Sequence, residues 1–355
     1  MLVTWWAEPG MTSGLVKVIV PLMIAQVVFE YWNVFCSAML PDISPPGRIG
    51  FLSGLGFSLG NAMGILTFLF FLLAWSWNPH PLFGLDNATH QPERAVGLLA
   101  AICSVAFGLP LFFLTPDSRG TGRSLPQAVS QGLKQLWATV RKIGAYKNLV
   151  VFLLSRMSYN EGFIALMLFT GVFAAGILHW NAKMLAVEGL INSVVAVVAG
   201  LFAGWLDTRI GSKGATIVFV LGCLIGNIVI FSVTPDMVFF VHINAAATAT
   251  GGLFPTLPDK VFLVAQCSIA WFVTGGLVTS RSMMAKLSPK SMLAEFFGIY
   301  SLSGTATTFI GPIAIGILTV LFHAQRPGVL VGAFFLLVGL LVMFAVREPK
   351  EGEAG

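Results

Sequence analysis

Nine stretches of the chain are almost entirely apolar, and short polar segments separate them. Each stretch has roughly 20 residues or more, enough for an α-helix to cross the hydrocarbon core of a bilayer. Backbone amides find no water inside lipid, so the stretches are predicted to be helices. The predicted spans lie near residues 15–38, 50–74, 95–115, 148–178, 182–206, 214–233, 260–285, 295–322 and 328–346.

Polar side chains occur within the first span at helical spacing. Gln26, Glu30, Asn33 and Ser37 are separated by four, three and four residues, which places all of them on one face of a helix. A polar stripe inside a membrane must contact water or protein. These residues are therefore predicted to line a cavity, and hydrogen bonds between neighbouring helices are the alternative.

The fourth span carries Arg156, Tyr159, Asn160 and Glu161 near its middle. Arg156 and Glu161 are five residues apart, about 140° of helical rotation, so they do not form a good pair on a straight helix. Arg156 is expected to extend toward the cytoplasm, whereas Glu161 lies deeper. The helix is expected to loosen between Tyr159 and Gly162 and to expose backbone groups to a cavity. A buried structural network is the alternative.

Two later spans add to this polar set. Glu188 and Asn192 form an i, i+4 pair in the fifth span, and Gln266 lies in the seventh. The hydroxyl-rich sequence YSLSGTATT in the eighth span is a weaker signal, because buried Ser and Thr often bond to their own preceding turn. The residues predicted to line a substrate or proton pathway are Gln26, Glu30, Asn33, Arg156, Tyr159, Asn160, Glu161, Glu188, Asn192 and Gln266.

Composition agrees with the membrane assignment. Hydrophobic residues make up 56% of the 355 residues and charged residues only 10%, compared with roughly 25% charged residues in a soluble domain. Such a chain has too little polar surface to be stable in water.

The distribution of charge predicts an orientation. Of the 20 Lys and Arg residues, 14 fall on the side of the membrane that holds the loop before Asn148, five fall on the other side, and Arg156 lies within a span. Cytoplasmic loops carry such an excess of cations. The C-terminus is therefore predicted to be cytoplasmic, and the net charge of +5 indicates membrane orientation rather than a nucleic-acid partner.

The order of spans and loops predicts the domain organisation. Residues 1–115 are predicted to form a partial bundle of three spans, and residues 148–346 a bundle of six. Residues 116–147 are predicted to be a cytoplasmic linker with an amphipathic helix, and residues 347–355 a cytoplasmic tail. The start, MLVTWWAEPG, lacks the features of a signal peptide and resembles the end of an earlier span. The chain is therefore expected to lack its natural beginning.

Signals for an enzyme are weak. GFSLG, residues 56–60, matches the GxSxG pattern, but a nucleophile elbow requires a strand, a turn and a helix, and this sequence lies within an apolar helix. Gly56, Gly60 and Gly64 are spaced for close approach of two helices, so a packing role is predicted instead. Neither HExxH nor a P-loop sequence is present. The chain is predicted not to be an enzyme, and neither a metal nor a cofactor is expected.

One loop has a recognisable pattern. GWLDTRIGSK, residues 204–213, resembles the Gly-x-x-x-Asp-x-x-Gly-Arg/Lys loop of the major facilitator superfamily, although its spacing is Gly-x-x-Asp-x-x-x-Gly. Asp207 is expected to cap a helix N-terminus or to pair across the gap between two bundles. Arg209 and Lys213 are expected to supply cations for a gate at this gap, and Gly211 permits a tight turn.

Other stretches narrow the resemblance. VFCSAMLPDISPPGRIGFLSGLGFSLG, YNEG, TSRSMMAKLSP and EFFGIYSLSGTATTFIGP are similar to the bacterial unknown major facilitator family, which is related to the vacuolar amino-acid effluxers of autophagy. The resemblance covers the chain from about Val3 to Val346. It implies twelve spans in two bundles of six, of which this chain would contain spans four to six and the complete second bundle.

These observations predict an all-α multi-pass protein of the inner membrane with major-facilitator-like bundles. It is expected to transport a small solute, with amino acids or related metabolites implied by the resemblance, through alternating access. The expected partners are this solute, a proton as coupling ion and the lipid bilayer, and a full-length protein is expected to be a monomer. The alternative is a non-transporting binding or scaffold subunit, or a nonfunctional truncated fragment.

A cytoplasmic gate is predicted where charged residues lie at the ends of spans. Pairs at such positions can form in one conformation and break in the other. Anchoring by positive charges alone is the alternative. The predicted gate residues are Asp207, Arg209, Lys213, Arg281 and Glu295.

Overall fold

The computed structural model describes residues 2–6, 15–45, 48–78, 80–86, 89–114, 146–244, 250–289 and 292–348, and the single residues 124, 127, 130, 132, 134, 141 and 144. In these ranges the chain is helical apart from turns, loops and one short hairpin. Contacts divide the chain into two compact units. The smaller comprises Met1–Val34 and Met63–Ala138, and the larger comprises Phe35–Ala62 and Thr139–Gly355.

The described part of the smaller unit is built from three helices and short turns. It contains the first part of α1 (Leu15–Ile43), the last part of α2 (Ile49–Phe70), a π-helical turn (Phe71–Ser76), α3 (Gln91–Leu114), and 3₁₀ turns at Leu2–Trp6 and Leu82–Gly84. Arg94 Nε donates to the carbonyl oxygen of Trp5 at 2.7 Å, and Thr4 Oγ1 donates to that of Arg94 at 3.1 Å. These bonds hold the first turn against α3.

The larger unit contains the rest of α1 and α2 and the described helices that follow residue 146. These are α4 (Lys147–Gly176), α5 (Ala182–Phe231), α6 (Leu257–Leu287), α7 (Leu293–Thr305), α8 (Ile310–Phe322), a 3₁₀ turn (Arg326–Gly328) and α9 (Val329–Ala345). Between α5 and α6, strands β1 (Met237–Val238) and β2 (Val241–His242) pair antiparallel.

The described helices supply the nine predicted crossings. Eight of them are long and apolar enough to span a membrane, counting α7 and α8 as one. Helix α5 has 50 residues and would be roughly 75 Å long if straight, far more than one crossing needs. It turns at Gly211, whose φ of +80° favours glycine. Helix α5 therefore provides two crossings, and the predicted fold class is confirmed.

Side-chain caps fix where two of the spanning helices begin. Asn181 Oδ1 accepts from the backbone N–H of Met184 at the start of α5. Thr256 and Asp259 form a reciprocal capping box at the start of α6, and Trp180 Nε1 donates to Asp259 at 2.8 Å. Such caps satisfy amide groups that have no partner within the helix.

Helices α2 and α5 approach each other closely through glycines. A Cβ at Gly54 would overlap the carbonyl oxygen of Gly200, and Ser58 Oγ donates to the carbonyl oxygen of Val197 at 2.7 Å. A Cβ at Gly56, Gly60 or Gly64 would meet no described heavy atom within 4 Å. The predicted packing role of those three glycines is therefore wrong, because the close contact lies on the face that contains Gly54.

The predicted division into bundles remains a prediction. The amphipathic helix expected within residues 116–147 lies outside the described residues, except for a few isolated positions and the last two residues of that range. The contacts group residues 35–62 with the later helices. The first two helices therefore each contribute to both compact units.

We predict that Gly54→Ala destabilises the larger unit, because the new methyl group overlaps the Gly200 carbonyl. Overpacking of this kind costs about 1–3 kcal/mol. The thermal unfolding midpoint of the purified protein should fall by several degrees. Gly56→Ala adds the same methyl group in open space and should leave the midpoint unchanged or slightly raised. Equal midpoints for the two variants would contradict the described packing.

Candidate functional site

One of the predicted spans is broken in the structure. Helix α7 ends at Thr305, α8 begins at Ile310, and residues 306–309 form a turn. Helix α4, in contrast, is continuous over its whole length. The prediction that the fourth span loosens near Tyr159 is therefore wrong, because its polar side chains bond to a neighbouring broken helix and not to their own backbone.

The end of α7 receives hydrogen bonds from α4. Arg156 donates to the carbonyl oxygen of Tyr300 at 2.8 Å and to Ser303 Oγ at 2.9 Å. Asn160 Nδ2 donates to the carbonyl oxygen of Gly304 at 2.9 Å. Both donors are buried. They thus satisfy backbone carbonyl groups at the point where the helical ladder stops.

A side chain of α4 also accepts a hydrogen bond from the start of α8. The backbone N–H of Gly311 donates to Glu161 Oε2 at 3.1 Å, and only 2% of Glu161 is exposed. A Cβ at Gly311 would lie 3.0 Å from this carboxylate oxygen. A carboxylate within the first turn of a helix is favourable, because unpaired amide groups and the helix dipole both favour negative charge there.

Arg156 and Glu161 therefore contact opposite ends of the break and not each other. The positive charge lies at the C-terminus of α7, which carries partial negative charge, and the negative charge lies at the N-terminus of α8. A backbone group left unpaired in lipid would cost several kcal/mol. The expectation that Arg156 extends into the cytoplasm is wrong, because α7 binds its guanidinium group.

Aromatic and hydroxyl groups complete this cluster. The Arg156 guanidinium carbon lies 3.6 Å from the ring centroid of Tyr300, a cation–π contact. The hydroxyl groups of Tyr159 and Tyr300 lie 2.7 Å and 3.1 Å from Ser280 Oγ on α6. The cluster thus joins α4, α6 and α7 through buried polar contacts.

A second polar group lines a cavity of about 330 Å³ within the larger unit. Its walls come from α2, α4, α5 and α6, and its polar lining includes Asn61, Glu188, Asn192, Gln266 and Thr274. Gln266 lies nine residues into α6, roughly 14 Å along the helix axis. The cavity therefore extends to the middle depth of the spanning helices.

Three of the predicted pathway residues meet in this cavity. Glu188 Oε1 accepts a hydrogen bond from Asn192 Nδ2, one turn further along α5. It also accepts one from Gln266 Nε2 on α6, at 3.4 Å. The oxygens Asn192 Oδ1 and Gln266 Oε1 are buried and have no hydrogen-bond partner among the described residues.

A charged network lies at the other end of these helices. Glu348, just beyond α9, accepts from the backbone N–H groups of Ser212 and Lys213 at 2.7 and 2.9 Å. It also accepts from Lys286 Nζ at 3.1 Å, and the same ammonium lies 3.9 Å from Asp207 Oδ2. A Cβ at Gly50 would overlap the Asp207 carboxylate, which thus lies at the start of α2.

Arg281 connects α6 to α2. Its Nε donates to Ser53 Oγ at 3.1 Å, and its terminal nitrogen donates to the backbone carbonyl of Ser53 at 3.0 Å. Ser53 Oγ in turn donates to the carbonyl oxygen of Val278 at 3.2 Å. Together with the Asp207 contact, these bonds hold the first turns of α2 against α5 and α6.

The side chains of the remaining predicted gate residues make other contacts. Arg209 is exposed and lies over the ring of Trp205, 5.6 Å from its centroid. Lys213 Nζ donates to the carbonyl oxygen of Phe344 at 2.9 Å. Glu295 is half-buried in the first turn of α7. Among the described residues, the ammonium group beside Asp207 is that of Lys286. A gate role for Arg209, Lys213 and Glu295 stays a prediction.

The polar stripe of α1 is divided between the two compact units. Gln26 and Asn33 are exposed and Glu30 is half-buried in the smaller unit, where Gln26 Nε2 lies 3.5 Å from Glu30 Oε1. Ser37 belongs to the larger unit and is buried. A pathway role for Gln26, Glu30 and Asn33 stays a prediction.

Sequence reasoning missed four residues of these sites: Ser53, Asn61, Lys286 and Glu348. Lys286 lies within TSRSMMAKLSP, where it was counted only as one more cytoplasmic cation. A signal was available for Asn61, because it is an amide within an apolar span. Ser53 and Glu348 give no such signal, since each acts through contacts with residues far away in the chain.

Comparison with known proteins identifies the family. The family described as "Vacuole effluxer Atg22 like" matches residues 48–354. The chain belongs to this family. The resemblance to the vacuolar effluxers within the major facilitator superfamily is therefore confirmed.

Relatives of this Atg22-like chain occur in bacteria and fungi. It is 22% identical to the uncharacterized MFS-type transporter YxiO of Bacillus subtilis, over 92% of this chain and 70% of the relative. It is 25% identical to autophagy-related protein 22 of Cryptococcus neoformans, over 86% of this chain and 51% of the relative. Most of this chain therefore aligns with the fungal relatives, but it spans only about half of their length.

A solved structure supports the same fold. The major facilitator superfamily transporter FucP, crystallised in the outward conformation, aligns with a TM-score of 0.62 at 13% identity. The alignment covers 89% of this chain and 72% of FucP. This Atg22-like chain therefore has the fold of that superfamily.

We predict that Glu161→Leu destabilises the protein more than Glu161→Gln does. Leucine leaves the Gly311 N–H without a partner, at a cost of about 1–3 kcal/mol. Glutamine keeps an oxygen acceptor at the start of α8 and removes only the charge. Thermal unfolding of both variants beside the wild type measures the difference. A leucine variant as stable as the glutamine variant would exclude this role for Glu161.

Proposed function

We propose that this protein is a secondary active transporter that moves a small solute across the cell membrane by alternating access. The single observation that carries the proposal is the cavity that contains Glu188, Asn192 and Gln266. Buried carboxylate and amide groups within spanning helices are costly unless they contact water or a solute. A polar cavity at the middle depth of such helices is where transporters of this type bind their solutes.

The contacts around Ser53 and Asp207 form the proposed cytoplasmic gate. Arg281 and Asp207 hold the first turns of α2 against α6 and α5, and close approach at Gly54 brings the helix backbones together. Solute passage to the cytoplasm would require this contact to open. Alternating access then consists of breaking these bonds in one conformation and remaking them in the other.

Proton coupling is part of the proposal. Glu161 Oε2 accepts from the N–H of Gly311, and Glu161 is not among the described residues that line the cavity, whereas Glu188 is. Glu188 is therefore the carboxylate through which a proton and a solute can influence each other. A fucose:proton symporter among the structures that share the fold is compatible with such coupling. Amino acids or related metabolites are the proposed solutes, by resemblance to the vacuolar effluxers.

The proposed location is the inner membrane, with the C-terminus in the cytoplasm and a monomer as the functional form. The excess of cations on the side that contains Lys213, Lys286 and Arg347 supports this orientation. A non-transporting scaffold subunit is not favoured, because the matched family and the matched structure are both described as transport proteins.

We expect that Gly54→Trp abolishes transport. The indole ring cannot fit where Gly54 meets Gly200, so the gate cannot close. The assay is counterflow of a panel of radiolabelled amino acids and amines in proteoliposomes. Gly56→Trp carries the same ring in open space and serves as the matched control. Wild-type protein that moves none of the panel, or a Gly54→Trp variant as active as the control, would contradict the proposal.

We expect that Glu348→Gln opens the gate more often, because it weakens the attraction to Lys286 and to the N-terminus at Ser212. The exposure of a cysteine introduced at Ser53 to a cytoplasmic thiol reagent should rise several-fold, in a background where the four native cysteines are replaced. Glu93→Gln removes a carboxylate from the first turn of α3, in the smaller unit, and is the control. Equal labelling rates in both variants would exclude Glu348 from the gate.

A further inference from the structure

The cavity around Glu188 has an unusual balance of charge. Among the described residues that line it, Glu188 is the one that carries a charge, and neither Lys nor Arg is present. The rest of the lining is amide, hydroxyl or apolar, and it includes Phe57, Ile269 and Val273. A solute that enters this part of the protein therefore meets one negative charge against largely apolar walls.

Hydrogen-bond logic fixes the direction of the two amides beside Glu188. An ionised carboxylate only accepts hydrogen bonds, so Asn192 and Gln266 must turn their NH₂ groups toward it. Their oxygens, Asn192 Oδ1 and Gln266 Oε1, are buried and lack a partner among the described residues. Gln266 is 93% buried, since only 7% of it is exposed. A buried carbonyl oxygen of this kind needs a donor.

We propose that this cavity binds the protonated primary amine of the transported solute. An ammonium group has three N–H donors and one positive charge. The residues that line the cavity include one carboxylate and two amide groups, on α5 and α6, whose oxygens have no partner among the described residues. A carboxylate or phosphate group would meet only acceptors and a negative charge here. This inference rests on the proposed function, because it names the chemical class of the solute that the protein would transport after binding it.

The apolar lining selects the rest of the solute. Phe57, Ile269 and Val273 suit a hydrocarbon or aromatic body attached to the amine, and a volume of about 330 Å³ restricts that body to a small molecule. A sodium ion shares the positive charge of an ammonium group, but it has no apolar body to contact these walls. The same experiment therefore includes sodium as a competing cation.

The test measures ligand binding to the purified 355-residue chain in detergent, by isothermal titration calorimetry and by the shift of the thermal unfolding midpoint. The probes share one aromatic ring and differ in the polar group: 2-phenylethylamine is cationic, 2-phenylethanol is neutral and 3-phenylpropionate is anionic. In the fourth arm, the effect of sodium chloride is compared with that of choline chloride. We expect the amine to bind about 10- to 100-fold more tightly than the alcohol, as a charge-assisted hydrogen bond requires.

Two substitutions at Glu188 separate charge from folding. Glu188→Gln keeps the shape and should remove the preference for the amine over the alcohol. Glu188→Asp keeps the charge and should retain a reduced preference, which would show that a loss in the glutamine variant is not a loss of fold. Ser268→Ala, on α6 outside this cavity, is the control and should bind like the wild type.

Several outcomes would overturn the inference. They are failure of the amine to bind at millimolar concentration, equal or tighter binding of the alcohol or the acid, binding of sodium in place of the amine, and an amine preference that survives in Glu188→Gln. Binding in detergent does not require transport. Amine binding without counterflow would therefore reject the proposed function alone, and counterflow restricted to solutes without an amine would reject this inference alone.

Discussion

The structure of the larger unit depends on how the unpaired backbone groups of a broken helix find hydrogen-bond partners inside a membrane. The gap between α7 and α8 leaves carbonyl groups at one helix end and N–H groups at the other, at a depth where water cannot be assumed. Arg156, Asn160 and Glu161 on α4 supply the matching partners. This explains why an apolar span retains two opposite charges: each complements the partial charge of one helix end.

The polar residues of the spanning helices thus divide into two groups with different physical roles. The Arg156 cluster is largely saturated, because most of its donors and acceptors are used by α6, α7 and α8, although Glu161 Oε1 is buried without a partner among the described residues. The Glu188 group keeps buried oxygens without partners and lies beside a cavity. Saturated networks make a fold rigid and specific, whereas unsaturated ones are where a solute gains binding energy. The two groups lie on neighbouring helices, so the rigid cluster can position the cavity.

Much of the fold could be predicted from the sequence, because it follows from composition along the chain. Runs of apolar residues require helices in lipid, and the excess of cations indicates which loops are cytoplasmic. The partners of individual polar residues could not be predicted in the same way. Arg156 has polar neighbours within five residues in sequence, yet its partners Tyr300 and Ser303 are more than 140 residues away.

The position of the break shows the same limit. Residues 306–309 contain no proline or glycine, and Thr305 and Thr308 bond within their own turn. The flanking residues nevertheless favour an interruption, because Gly304 weakens the end of α7 and Pro312, in the first turn of α8, has no N–H to donate to a preceding turn. The partners that satisfy the interrupted helix ends depend on tertiary contacts. Likewise, the glycines of α2 share one spacing, but only the face with Gly54 meets another backbone. Spacing alone cannot tell which face of a helix has a neighbour.

The contacts of Glu348 have a consequence for the mechanics of the chain. This residue follows the last helix, yet it binds the N–H groups that open the second half of α5 and an ammonium on α6. Three membrane crossings are thereby clamped together at one end by a single side chain. Relative sliding among α5, α6 and α9 is thereby resisted, so these three helices are favoured to move together as one block.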